Sequence, residues 1–87
     1  MSAPLQVLIV AGSDSGAGAG IQADLKSVHA NGAYALTAIT AVTAQNTVAV
    51  RDAFDLPVEI IRAQLDAVFE DFEVSAVKTG MLSSIEG

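Results

Sequence analysis

Between Gly12 and Gly20 the chain reads Gly12-Ser13-Asp14-Ser15-Gly16-Ala17-Gly18-Ala19-Gly20, small residues interleaved with two hydroxyls and one carboxylate. Glycine reaches backbone conformations closed to other residues and lets a ligand approach the main chain closely. Placed before a helix, such a turn sits beside unpaired N–H groups and a partial positive charge, so the default chemistry is capture of an anion or a polar ligand. Two standard phosphate patterns fail here. No Gly-Lys-Ser/Thr follows, which excludes a Walker A loop, and Gly16-Ala17-Gly18 opens a dinucleotide fingerprint whose last position is Ile21 rather than glycine. The bland alternative is a strand–helix connection that touches no ligand.

Four further residues can bear on the same chemistry. Asp24, four positions after Gly20, either complements a helix dipole or accepts a hydrogen bond from a ligand at the turn. Gln45 has a primary amide, which both donates and accepts, and can read a ring nitrogen and a neighbouring amino group together; otherwise it is a solvated loop residue. Met81 offers a thioether to an aromatic ring, or simply fills core. Lys78 pairs with an acidic neighbour or faces a phosphate, an ion pair being the commoner outcome. His29 stands alone in a chain without cysteine, so the sequence suggests no metal site. Asp66, Glu70, Asp71 and Glu73 read as the solvated side of a helix, and no nucleophile–base pair or catalytic carboxylate pair is evident.

The elements that must position these residues follow from hydrophobic patterning. Leu5–Ala11 is continuously apolar, the mark of a strand buried on both faces of a parallel sheet. A helix is expected over Ala19–Ala30, burying Ile21, Leu25 and Val28, and ending at Asn31-Gly32 in a left-handed cap. Ala33–Thr43 is expected as a second strand built on Leu36, Ile39 and Val42, and Val48–Phe54 as a weaker strand at an edge. Leu56-Pro57 opens a second helix with Val58, Ile61, Leu65, Val68, Phe69 and Phe72 on one face. Val74–Val77 is a short third strand of the main sheet, with Lys78-Thr79-Gly80-Met81-Leu82 leaving its end. The class is therefore α/β, a mostly parallel sheet flanked by helices. Ligands of such sheets bind where the carboxyl ends of the strands meet, which brings the glycine turn, Gln45 and Met81 to one crevice. Ser83-Ser84-Ile85-Glu86 matches a capping box and announces one more helix, so residues 1–87 are expected to be the N-terminal segment of a single larger domain.

Composition narrows the classes further. Over half of the 87 residues (52%) are hydrophobic, and the mean hydropathy is +0.51. A domain of this size buries only roughly 60–65% of its unfolded surface, so so apolar a chain is expected to associate or to belong to something larger. No apolar run approaches the ~18 residues of a membrane span. The net charge of −6, from four basic and ten acidic residues, argues against nucleic acid and anionic membranes as partners. Backbone N–H groups can nonetheless hold a small anion. The absence of cysteine and of a basic leader in Met1-Ser2-Ala3-Pro4 fits a cytoplasmic protein.

Three separated stretches, in order, resemble the hydroxymethylpyrimidine/phosphomethylpyrimidine kinases of thiamine biosynthesis: Ala11 through Lys26, Thr40-Ala41-Val42-Thr43-Ala44-Gln45-Asn46-Thr47, and Lys78 through Leu82. Pyridoxal kinases share the fold, but the combination of the glycine-rich turn with Ala44-Gln45-Asn46-Thr47 looks like the pyrimidine enzymes. The resemblance implies a ribokinase-like fold and ATP-dependent phosphorylation of 4-amino-5-hydroxymethyl-2-methylpyrimidine and of its monophosphate. It also implies that Gly12 and Ala19 line the pyrimidine pocket, that Asp24 and Gln45 hydrogen-bond the substrate, and that Met81 packs on it. ATP and Mg²⁺ are implied as cofactors. The family's anion hole, its catalytic base and most nucleotide and Mg²⁺ contacts match nothing in these 87 residues, so the segment alone is expected to be inactive. The alternatives are a non-catalytic pyrimidine-binding or assembly module, self-associating through an exposed sheet edge, and a relative of the pyridoxal kinases. A nucleotide-binding Rossmann-like half is disfavoured by the imperfect fingerprint.

Overall fold

The computed structural model describes residues 5–80. In chain order the elements are β1 (Gln6–Ala11), α1 (Gly20–Ala30), β2 (Tyr34–Ile39), β3 (Ala41–Gln45), β4 (Val50–Asp55), α2 (Val58–Asp71) and β5 (Ala76–Thr79). β1 is the centre of a parallel three-stranded sheet, ordered β2-β1-β5, and β3 and β4 form a separate antiparallel pair. β1 matches β2 from Gln6↔Tyr34 to Ala11↔Ile39, and β5 from Val7↔Ala76 to Val10↔Thr79. All three strands thus point their carboxyl ends the same way.

The unbroken apolar run of β1 is explained by a helix on each face. Leu8 packs with Leu36 and Ala38 beneath Leu65 and Val68 of α2 and Phe72 at its C-terminal cap. Ile9 and Ala11 pack with Ile21 and Val28 of α1, joined by Ala35 and Ile39. Side chains alternate across a strand, so consecutive residues must both be apolar when both faces are covered. Near the opposite end of the sheet the rings of Tyr34 and Phe72 stack, with centroids 6.4 Å apart, and tie α2 to the start of β2. α1 ends as expected, with Gly32 at φ +82 just beyond Asn31.

The structure corrects four expectations. The apolar run Ala33–Thr43 is two strands, not one: it leaves the parallel sheet after Ile39, turns at Thr40 and enters the antiparallel pair. Gln64 of α2 accepts from Ile39 N–H and donates to Ile39 C=O, both at 2.8 Å, where a neighbouring strand would otherwise bond. Thr40 N–H donates to Ala11 C=O, and Thr40 C=O accepts from Leu56 N–H. Next, the expected edge strand is present but runs over Val50–Asp55 and not Val48–Phe54, and it belongs to this second pair. The last strand lies two residues later than Val74–Val77, at Ala76–Thr79. Finally, Leu25 of α1, and Val58 and Phe69 of α2, are exposed, because only a narrower stripe of each helix meets the three strands. The expected helix at Ser83–Glu86 lies outside the described residues.

Candidate functional site

The site is built from the turn between β1 and α1. Asp14 is 5% exposed, and its carboxylate faces inward, onto the turn's own main chain. One oxygen accepts from Gly16 N–H at 2.8 Å; the other accepts from Gly18 N–H at 3.0 Å and Ala19 N–H at 2.8 Å. Asp14 N–H in turn donates to Gln22 Oε1 at 2.8 Å. The loop is closed by Ile21 N–H on Gly12 C=O at 2.8 Å. Gly20 has φ +62, and a Cβ there would stand 2.6 Å from the Gly12 carbonyl oxygen, so this position requires glycine. The donors that a phosphate would use in a turn of this kind are thus already satisfied by Asp14.

The second wall is β3, laced to the turn by side chains. Ser13 N–H donates to Ala41 C=O at 2.9 Å. Thr43 N–H donates to Ser13 Oγ at 3.2 Å, and the Thr43 hydroxyl to Ser13 C=O at 2.7 Å. Gln45 N–H donates to Ser15 Oγ at 2.6 Å, and the same hydroxyl bonds Gln45 C=O. Gln45 therefore faces the glycine turn, but from the last position of β3 in the antiparallel pair, not from a loop after a parallel strand as expected. A register irregularity between Ala44 and Gln45 marks the spot, and such irregularities re-aim a side chain.

A cleft of about 540 Å³ opens between the turn, β3 and the ends of β1 and β5. Gly12, Ala19, Asp24 and Gln45 all line it, so the structure brings four of the five sequence-predicted site residues together. Met81 lies outside the described residues. On the far side Lys78 Nζ meets Asp24 Oδ1 at 2.7 Å, with side chains 53% and 20% exposed respectively. The pair is the ordinary fate expected of Lys78, and it holds the Asp24 carboxylate at the rim of the cleft. The lining mixes small apolar residues, Ala11, Gly12 and Ala41, with the polar and charged side chains of Thr43, Gln45, Asp24 and Lys78.

Sequence reasoning missed Thr43 and the β4 residues Ala53 and Asp55, which also line the cleft. Thr43 stands two positions before Gln45, and strand period two carries that signal. Ala53 and Asp55 had none, because their presence depends on the hairpin pairing of β3 with β4. The Gly16, Gly18 and Ala19 N–H groups of the turn are taken by Asp14, and among the described residues no group of three His, Cys, Asp or Glu side chains able to hold a cation is found.

A family model described as phosphomethylpyrimidine kinase matches residues 14–87. The hydroxymethylpyrimidine/phosphomethylpyrimidine kinase of Streptomyces coelicolor is 60% identical over 83 residues, which is 95% of this chain and 31% of the relative. Among solved structures, phosphomethylpyrimidine kinase from Clostridium difficile 630 superposes with a TM-score of 0.90 at 55% identity, over 94% of this chain and 38% of that one. Bacillus subtilis pyridoxal kinase, solved as an ADP complex, superposes with a TM-score of 0.86 at 38% identity, over 97% of this chain and 32% of that one. The chain spans about a third of the length of the bacterial relatives it matches and 14–16% of the plant bifunctional enzymes of thiamine biosynthesis.

Proposed function

This chain belongs to the phosphomethylpyrimidine kinase family, and on that footing we propose that the full-length protein phosphorylates 4-amino-5-hydroxymethyl-2-methylpyrimidine and its monophosphate in thiamine biosynthesis. Residues 1–87 supply the substrate-pocket segment of a larger kinase domain in this reading, which the greater length of the relatives supports. The observation that carries it is the meeting of Gly12, Ala19, Asp24 and Gln45 on one cleft whose anion-binding groups are already used internally. That cleft is suited to the acceptor's ring rather than to the phosphate donor. Gly12 and Ala19 let the ring lie against main chain. Asp24 hydrogen-bonds the substrate from the rim, and the Gln45 amide pairs with the ring edge that carries the amino group. Met81 packs on the ring face.

ATP supplies the transferred phosphoryl group when bound, with Mg²⁺; the nucleotide complex of the related pyridoxal kinase supports ATP as the donor. What these residues contribute is orientation, holding the hydroxymethyl group toward the donor side and excluding water from the ring. No helix among the described residues is long and apolar enough to cross a membrane. A cytoplasmic location is part of this proposal and is supported by the cysteine-free sequence.

The test is steady-state kinetics of the full-length protein. Gln45→Ala and Asp24→Asn should each raise KM for the pyrimidine by about tenfold while KM for ATP stays within about twofold, the size expected for one lost hydrogen bond to substrate. Unchanged KM for the pyrimidine in both variants would sink the assignment. The structural likeness to pyridoxal kinase favours a second reading, pyridoxal as acceptor; a higher kcat/KM for pyridoxal than for the pyrimidine would establish it. Heat of pyrimidine binding without turnover in the full-length protein would instead indicate a non-catalytic binding module.

A further inference from the structure

Thr43 Oγ1 stands 2.7 Å from the Ser13 carbonyl oxygen and 3.1 Å from the oxygen end of the Gln45 side-chain amide. A threonine hydroxyl has one proton and cannot donate to both. The Ser13 carbonyl is the nearer and can only accept, so it takes the proton. Toward Gln45 the hydroxyl then presents lone pairs alone, and an amide oxygen facing them is repelled. A half-turn of the amide about its last bond exchanges oxygen and nitrogen in almost the same volume and puts an N–H there instead.

We infer that Thr43 is a positioning residue that sets the polarity of the Gln45 amide: Nε2 donates to Thr43 Oγ1, and Oε1 is turned to the cleft. Both residues line that cleft. The relay runs from the glycine turn through one hydroxyl to the ring-reading amide, because Ser13 is itself held by Ala41 and by Thr43 N–H. An oxygen offered at this point selects a ring substituent that donates, such as a 4-amino group, over one that accepts, such as a 4-oxo group. A site committed to one hydrogen-bond polarity rejects the reversed partner far more strongly than it rejects a change of size.

The inference rests on the reading that Gln45 touches the pyrimidine, and the experiment separates the two. Dissociation constants for the 4-amino pyrimidine and its 4-oxo counterpart are measured by titration calorimetry, without nucleotide, on full-length wild type, Thr43→Val, Thr43→Ser and Gln45→Ala. Thr43→Val keeps the shape and removes the hydroxyl. The 4-amino/4-oxo preference should fall by about five- to tenfold, and Thr43→Ser should restore it to within about twofold of wild type. A purely structural role for Thr43 would weaken both ligands together and leave the ratio unchanged. Thr43→Ala serves as the second hydroxyl-free variant should Thr43→Val prove insoluble. A wild-type ratio in the hydroxyl-free variants, alongside a reduced ratio in Gln45→Ala, overturns the role of Thr43 and leaves the substrate reading standing. Unchanged pyrimidine affinity in Gln45→Ala overturns both.

Discussion

The carboxylate of Asp14 occupies the place where an anionic ligand would otherwise dock, accepting from three main-chain N–H groups of the glycine turn. A buried carboxylate is tolerated there because its charge is met by several aligned donors. Asp14→Ala leaves those donors unpaired and should lower the stability of the full-length protein by about 2–4 kcal/mol, read by denaturant titration. Asp14→Asn keeps one acceptor oxygen and should fall between the two. An Asp14→Ala protein as stable as wild type would mean that water replaces the carboxylate at no cost. Asp24 behaves differently, being partly exposed and paired with the half-exposed Lys78. Screening makes that pair a weak source of stability, so its value lies in where it holds the Asp24 carboxylate.

Among the elements, the decisive join is that between β2 and β3. An apolar run that passes from one sheet to another must satisfy its main chain at the crossing, and Gln64 does this by reaching from α2 to both polar groups of Ile39. Gln64→Ala leaves one donor and one acceptor in a part-buried place and should cost about 1–3 kcal/mol. Hydrogen exchange at the Ile39 amide should accelerate in the variant more than exchange at Leu8 in the middle of β1. Equal acceleration at both would show a general loss of stability in place of a local one. The same crossing carries β3 past the glycine turn, so Gln64 bears on the site without lining it.

At the scale of the whole molecule, the sheet of residues 5–80 ends at β2 and β5, and β3–β4 stands as a two-stranded pair. Val42, Val50, Phe54 and Val77 on these strands are exposed. Open edges and apolar faces of this kind favour association. The isolated 87-residue polypeptide should therefore sediment as oligomers, and a monodisperse monomer at about 50 μM in analytical ultracentrifugation would refute this. It should also show no ATP-dependent phosphorylation of the pyrimidine, because it spans about a third of the length of its bacterial relatives and phosphoryl transfer needs donor positioning and charge stabilisation from a complete site. Turnover above an enzyme-free blank in a coupled assay would contradict that expectation.

The sequence by itself determined the α/β class, the parallel strands at Gln6–Ala11 and near Leu36, and the turn–helix corner, while its resemblance to a known family singled out Gly12, Ala19, Asp24 and Gln45, which line one cleft. The elements are legible because hydrophobic period and glycine are local signals; Gln45 reaches the cleft from the antiparallel pair, not from a parallel strand's end. Only the tertiary structure decided the crossing at Thr40, since extended backbone looks alike whichever sheet it enters. It also decided which helix positions are buried, leaving Leu25 and Phe69 outside although their spacing matches Ile21 and Leu65. Asp14 turning inward and Thr43 meeting both Ser13 and Gln45 are likewise tertiary facts. They depend on contacts between residues thirty positions apart, or on the exact path of a turn, and side-chain spacing encodes neither.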